Sequence, residues 1–327
     1  MVKYFYKVRT CLRLELHFAK EALHFWLLTR KYNASAHTDN DIEKMQYTLA
    51  RETHTIEKGM SMRNPKKGFG QIKVINLLKR LNKYNDLYKD KDRLFLEYPI
   101  NTINSYIHYM KNTGVPIPEI EKEYKELLTT TKCVPTEIDS GVFVETKDHI
   151  LSLCNKDFES LLYSRHSQRY FSNMPVSLEK LNKALKMAQR TPSACNRQGW
   201  KTYVYKDSKS VELIKWQGGS RGFEEEIKCA ILVTANLKAF LSYEVHQAYV
   251  DGGLYAMNLI NSLHSLGLGT IPLSTAFEYN KLKLLRQFEV PENEVPILII
   301  GIGEMQDQFS VAVSKRKDIK YTNNYCL

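Results

Sequence analysis

Apolar side chains recur every three to four residues through most of the first hundred positions, the spacing of amphipathic helices. Leu12, Leu16, Ala19, Leu23 and Trp26 form one stripe, and Leu14, Phe18, Ala22 and Phe25 widen it. This predicts a helix over Leu12 to Leu28 with a broad buried side, packed or dimer-forming, the alternative being a helix that lies on a membrane surface. Asp39-Asn40-Asp41 offers a helix start before Ile42, Met45, Tyr47 and Leu49. Asn64 to Gly70 is turn chemistry, and the helical pattern resumes from Ile72 to Tyr84. Thr113 to Pro118 reads as a turn, Glu119 to Leu128 as a short acidic helix, and Thr129 to Val134 with Pro135 as an irregular connection.

The pattern changes near residue 150, which divides the chain into a helical part over 1–150 and a second domain over 151–327. From Phe158 onward helices and strands alternate. Ser177 is an N-cap for a helix with Leu178, Leu181, Leu185 and Ala188 on one face. Thr202 to Tyr205 and Ala230 to Thr234 read as strands, and Pro296 to Gly303 as a buried strand. Glu244 to Leu266 is the longest helical pattern, with Val245, Ala248, Gly252, Ala256, Leu259 and Leu263 in register.

Composition narrows the function classes. Of 327 residues, 43% are apolar and 25% charged, ordinary shares for a chain that buries a core. No stretch approaches the ~20 apolar residues of a membrane span. The first residues lack a signal-peptide pattern, so cytoplasmic residence is the expectation. The six cysteines form no Cys-x-x-Cys pair, which removes support for a zinc ribbon, a redox dithiol or a c-type haem. The net charge of +11 is spread over both parts, and the densest basic stretch, residues 44–93, fits a solvated helical face or a site for an acidic ligand. No helix-turn-helix, zinc-finger or RNP signature accompanies it, so nucleic acid is not expected as a partner.

Three segments carry candidate chemistry. In Arg165-His166-Ser167-Gln168-Arg169, two guanidiniums with a hydroxyl between them can face a phosphate and a polar ligand edge; the plainer alternative is two surface arginines on one helical turn. In Thr191-Pro192-Ser193-Ala194-Cys195-Asn196, small residues permit close approach of a flat ligand, and an Asn amide can read a donor and an acceptor on its edge. That stretch also reads as a helix-ending turn. Leu266-Gly267-Leu268-Gly269-Thr270 to Ser274 is either a ligand-facing glycine loop or a glycine C-cap followed by a strand. It lacks the context of a dinucleotide fingerprint.

In order and spacing, Arg-x-Ser-x-Arg, Pro-Ser-x-x-Asn-x-Gln-x-Trp, Asp251-Gly252-Gly253 to Asn258-Leu259, Gly-Leu-Gly-Thr and Ile-Gly-x-Gly at Ile300 to Gly303 resemble the nitroreductase family of FMN-dependent oxidoreductases, over about residues 155–320. The resemblance implies an α+β fold, a mixed sheet flanked by helices and preceded here by the helical part. It implies that Arg165, Ser167 and the His166 backbone hold the FMN phosphate and ribityl chain, with Arg316 from the Lys315-Arg316-Lys317 run. Arg169 would sit near flavin N1 and the C2 carbonyl, where its charge favours the reduced ring. Pro192, Ser193, Ala194 and Asn196 would line the isoalloxazine, and Pro272, Leu273 and Ser274 its other face, with a backbone N–H at N5. A homodimer and NADH or NADPH as electron donor follow from the same resemblance. No protein nucleophile or metal is needed, since the flavin carries the electron chemistry.

The expected function is therefore FMN-dependent transfer of electrons from NAD(P)H to a small organic substrate, as in a tailoring step of a biosynthetic pathway. The alternatives are a flavin-dependent dehydrogenase that passes substrate electrons to oxygen and a redox-inactive interaction module. The resemblance leaves residues 1–150 unassigned. There His54, Glu57 and Lys58 share one helical face that Gly59 is expected to terminate. The set reads as a polar contact between domains or a substrate contact, and His-x-x-Glu alone lacks the further ligands of a metal site. The helical part is a candidate lid over the flavin cleft.

Overall fold

The computed structural model describes residues 9, 11–20, 22, 23, 26, 41–88, 93–136, 140–154, 156–240, 244, 246–277 and 279–326. The chain divides into two compact units: a helical unit of residues 32–144 with 310–327, and a sheet unit of residues 1–31 with 145–309. A single cut near 150 therefore does not describe the division, because the last eighteen residues group with the helical unit. The boundaries fall within two short strands, β1 (Val142–Thr146) and β6 (Gln308–Ala312), that pair as a two-stranded sheet.

Four helices build the helical unit: α1 (Ile42–Met60), α2 (Gln71–Tyr88), α3 (Leu94–Asn112) and α4 (Pro118–Thr131). Their helical-period apolar positions form one core, including Met45, Leu49 and Ile56 of α1, Leu77, Leu78 and Leu81 of α2, Ile100, Ile103 and Tyr106 of α3, and Ile120, Tyr124 and Leu127 of α4. The acidic helix runs past Leu128 to Thr131 and stops at Lys132 in the left-handed region (φ 55°), so the expected irregular connection starts later. Gly59 does not end α1, which continues to Met60. Glycine is required there for a different reason: a Cβ would lie against the Phe69 ring, 2.8 Å from Cδ2 and closer still to Cε2. Phe69 belongs to the predicted 64–70 turn, whose flanking Gly68 and Gly70 have φ of +69° and +76°.

The sheet unit is built on a four-stranded antiparallel sheet, order β2-β3-β5-β4, with β2 Trp200–Lys206, β3 Cys229–Asn236, β4 Leu268–Ser274 and β5 Glu294–Glu304. All three strands read from sequence are present. The glycine segment after the long helix resolves to the C-cap and strand alternative: Gly267 (φ +77°) ends the helix and β4 follows at once. Three more helices precede or flank β2, namely α5 (Lys147–Cys154), α6 (Phe158–Ser164) and α7 (Leu178–Ala188), while α8 (Asp207–Gln217) follows it and α9 (Gln247–Ser265) joins β3 to β4. Ser177 caps α7 as expected, accepting from the Lys180 amide at 3.3 Å. Leu181, Ala184 and Ala188 of α7 pack with Tyr255, Leu259 and Leu263 of α9 over Trp200, Ile231, Val233 and Ile300 of the sheet. A parallel bridge between Ser167 and Thr270 extends the sheet at the β4 edge and makes it mixed.

The leading stretch differs from expectation. Residues 11–20 are helical, but Leu12, Leu14, Leu16 and Phe18 are 43–69% exposed, so among the described residues the broad apolar side is largely uncovered. Of the predicted helix, Phe25 and Leu28 lie outside the described residues, as do Asp39 and Asn40.

Candidate active site of the sheet unit

The Arg165–Arg169 segment begins where α6 ends. Arg165 is already extended (φ −80°, ψ 118°), so the two arginines do not share a helical turn. Ser167 bridges Thr270, and the Gln168 amide donates to the Thr270 carbonyl at 2.9 Å. In an extended chain alternate residues face the same way, which gives Arg165, Ser167 and Arg169 one side and Gln168 the other. Gln168 turns toward Gly269, where any Cβ would clash with its amide oxygen. Arg169 is buried, while Arg165, His166 and Ser167 are partly exposed. The Gln168 Oε1 and Thr270 Oγ1 atoms are buried without a hydrogen-bond partner. Buried polar atoms are otherwise almost always satisfied, so this junction has unused bonding capacity suited to a polar ligand.

The Pro192–Asn196 segment lies between α7 and β2. Ser193 and Ala194 are half-buried, Pro192 and Asn196 exposed. Its backbone is unusual: Cys195, Asn196 and Gln198 have φ of 52°, 54° and 49°, the left-handed region that side chains with a Cβ disfavour. Several bonds hold it there. The Asp251 carboxylate accepts from the Ala194 amide at 3.2 and 3.3 Å, and Ser193 Oγ accepts from the Gln198 amide at 2.9 Å. Arg197 donates to the Ala194 and Ala239 carbonyls and pairs with both carboxylate oxygens of Glu244 at 2.7 Å.

Helix α9 ties the segments together. Asp251 and Asn258 reach the second segment, Asn258 Nδ2 donating to Thr191 Oγ1 at 2.8 Å. Near the other end, His264 Nε2 lies 2.8 Å from Ser164 Oγ, the residue before Arg165. Burial, then the charges of Arg165 and His166, push the His264 imidazole down to about 4, so it is neutral at pH 7. Cys154 Sγ lies 3.7 Å from His264 Nε2, but burial pushes this thiol up. Those shifts oppose formation of a thiolate–imidazolium pair. Helix α9 then runs through Gly267 into β4, which carries Pro272, Leu273 and Ser274 beside β5, with Ser274 exposed.

Arg316 belongs to the helical unit, in the segment after β6. Sequence reasoning singled out the loops and missed the side chains that hold them: Gln168, Arg197, Asp251 in its anchoring role, and His264. A signal existed in α9, where Asp251, Asn258 and His264 are polar residues in an otherwise largely apolar helix.

The His54–Glu57–Lys58 set is a site of another kind. Glu57 is fully buried within the helical unit and accepts from the Gly141 and Ser314 amides, both at 3.3 Å. Burial holds its carboxyl above the ordinary value, against the hydrogen bonds from Tyr98, Ser314 and Gly141. His54 Nδ1 is 3.2 Å from Ser314 Oγ. Both the serine and the carboxylate approach the same imidazole nitrogen, at 3.2 and 3.9 Å, which is not the relay of a nucleophilic triad. The expected contact between domains is here a contact between α1 and the C-terminal segment of one unit.

Comparison with known proteins bears on the second half of the chain. The Nitroreductase family model matches residues 162–244. A candidate NADH dehydrogenase/NAD(P)H nitroreductase of Archaeoglobus fulgidus is 29% identical over 153 residues, 45% of this chain and 85% of the relative. An FMN reductase [NAD(P)H] of Bacillus subtilis is 24% identical over 163 residues, 45% of this chain and 65% of its own length. Among solved structures, a candidate nitroreductase in complex with FMN from Exiguobacterium sibiricum superposes with a TM-score of 0.45 at 18% identity, covering 52% of this chain and 97% of that one. The matched relatives leave the N-terminal region without an assignment.

Proposed function

We propose that this chain, whose C-terminal half carries a nitroreductase-family domain, is an NAD(P)H-dependent FMN oxidoreductase acting on a small organic substrate. The observation that supports it best is the convergence on α9 of the loops that the family resemblance assigns to the flavin. The donor set suits the cofactor: Arg165, Ser167 and the His166 backbone are suited to a phosphate and a hydroxylated chain, and Asn196 to a pyrimidine edge. The orphaned Thr270 Oγ1, paired across the bridge with Ser167, adds polar capacity at the same junction. Bound FMN would supply two-electron chemistry at N5.

The protein's part in such a reaction is position and charge. Arg169, buried and cationic, would favour negative charge on the ring edge it faces. Neutral His264 would brace Ser164 and so the start of the phosphate segment without adding charge. Pro272 to Ser274 would present one wall of the cleft from a strand fixed by its register with β5. The exposed positions of Pro192, Asn196 and Ser274 leave that cleft open to a donor and then an acceptor in turn. A homodimer is part of this proposal. Its support is the exposed stripe Val250, Leu254 and Met257 on α9, where Gly253 adds no side chain.

The test is the visible spectrum of the purified protein, in air and then with NADH or NADPH under argon. Flavin bands that bleach on adding the nicotinamide are expected. A colourless protein that takes up no added FMN overturns the proposal. Bleaching by an organic substrate without nicotinamide, with peroxide released in air, would instead establish a dehydrogenase passing electrons to oxygen.

A further inference from the structure

Three left-handed residues with side chains within four positions is an arrangement a free loop does not keep. Cys195 (φ 52°) sits between the extended Ser193 (φ −142°) and Asn196 (φ 54°), and Gln198 (φ 49°) follows before the chain enters β2. Backbone held in such regions persists only where surrounding contacts over-determine it, and it concentrates where a ligand must be met. The contacts here have a hierarchy. Ser193 Oγ and Gln198 Nε2 bond within the loop itself, the latter to Asn196 Oδ1 at 3.1 Å. Arg197 and Glu244, both partly exposed, clamp it to the segment after β3. Asp251 alone is buried (1% exposed) and lies on a long helix, so it is the anchor that water does not compete with.

The anchor is itself fixed. Gln247, one turn earlier on α9, donates to Asp251 Oδ1 at 2.7 Å. Asn258, seven residues later and on the same side of the helix, holds Thr191, and Thr191 Oγ1 in turn donates to the Ala188 carbonyl at the end of α7. Helix α9 therefore grips the loop at both its entry and its strained turn. Gly252, beside the anchor, lets α9 close on β5: a Cβ there would meet Ile297 Cγ1 at 2.5 Å.

We infer that Asp251 is a positioning residue for the flavin: its carboxylate, through the Ala194 amide, sets the left-handed turn that aims Ser193, Ala194 and Asn196 at the ring. It acts through the loop and not by its charge on the ring. The inference rests on the proposed function, and its test separates the two.

Asp251→Asn keeps a carbonyl oxygen for the Ala194 amide but removes the charge; Asp251→Ala removes both. The full-length protein is stripped of flavin, and FMN affinity is measured by fluorescence quenching, with the midpoint potential and visible spectrum of the reloaded protein. Asp251→Ala is expected to weaken FMN binding tenfold or more and to shift the spectrum. Asp251→Asn is expected to stay within threefold of the wild type, with the wild-type potential. If the two variants shift the potential equally, the charge acts directly and the positioning role is wrong. A folded Asp251→Ala protein that binds FMN within twofold of the wild type also overturns it. Where Asp251→Ala does not fold, Ser193→Ala, which breaks the partly exposed lock on Gln198, reads the same loop; wild-type affinity and spectrum in Ser193→Ala would overturn the claim that the turn is held for the ligand. Failure of the wild type to bind FMN rejects the proposed function instead.

Discussion

Glu57 in the helical unit and Asp251 in the sheet unit are both buried carboxylates that accept backbone amide hydrogen bonds, yet the segments they hold differ in kind. Glu57 gathers Gly141 and Ser314, which are 84 and 257 residues away in sequence. Asp251 holds a single short loop whose conformation is costly on its own. In the first case the carboxylate closes a fold whose chain leaves and returns. In the second it fixes a local geometry that the fold could do without. A buried acid is therefore uninformative by burial alone; the strain and exposure of what it holds tell structural from functional use.

The sharpest way to break this contrast is Glu57→Ala. It strands the buried Gly141 amide and the half-buried Ser314 amide and Tyr98 hydroxyl; an unsatisfied buried donor costs ~1–3 kcal/mol and a half-buried one stands at the low end, so a loss of about 4 kcal/mol is expected. Urea unfolding of the full chain, followed by far-UV circular dichroism, measures it. If stability is unchanged and flavin affinity collapses, the assignment of Glu57 to folding is wrong.

The next effect is in pH. The folded His264 imidazole lies below its unfolded value, 6.5 moving to about 4, so as pH falls the unfolded chain takes the proton first. The stability of the neutral form is complete above pH 6.5 and is lost progressively down to about pH 4, totalling about 3 kcal/mol at ~1.4 kcal/mol per unit. Urea midpoints at pH 7 and pH 4.5 should differ accordingly, and His264→Asn should flatten that slope.

Smaller effects separate packing from anchoring. Gly303→Ala would press a methyl against the Phe171 ring, at a cost of about 2 kcal/mol. Ser177→Ala removes the α7 cap at about 1 kcal/mol. Both should lower the thermal midpoint while leaving flavin affinity unchanged, unlike Asp251→Ala.

What the sequence revealed follows from which interactions are periodic. Met45 to Ile56, Leu77 to Leu81 and Ile231 to Val233 repeat at helix or strand spacing, and their elements were legible. The loops proposed to meet the flavin were legible as ordered motifs, Pro192 to Asn196 and Arg165 to Arg169. The extended form of Arg165 to Arg169 was not, because it depends on pairing with Thr270, a hundred residues later. Glu57 looked like one member of a helical face, since Gly141 and Ser314 have no mark in its neighbourhood. Gly59 looked like a helix stop because sequence shows a missing side chain without showing the Phe69 ring that fills its place.

Helix α9 acts as a ruler. Asp251, Asn258 and His264 are read off one rod at fixed rotational positions, each against a different part of the chain. One inserted residue between Asp251 and His264 would turn everything beyond it by about 100° and slide it ~1.5 Å. Substitutions along α9 can thus be absorbed one attachment at a time, but a change in its length cannot. Drift in this domain is free to alter the chemistry of the loops while the number of residues between them stays constant.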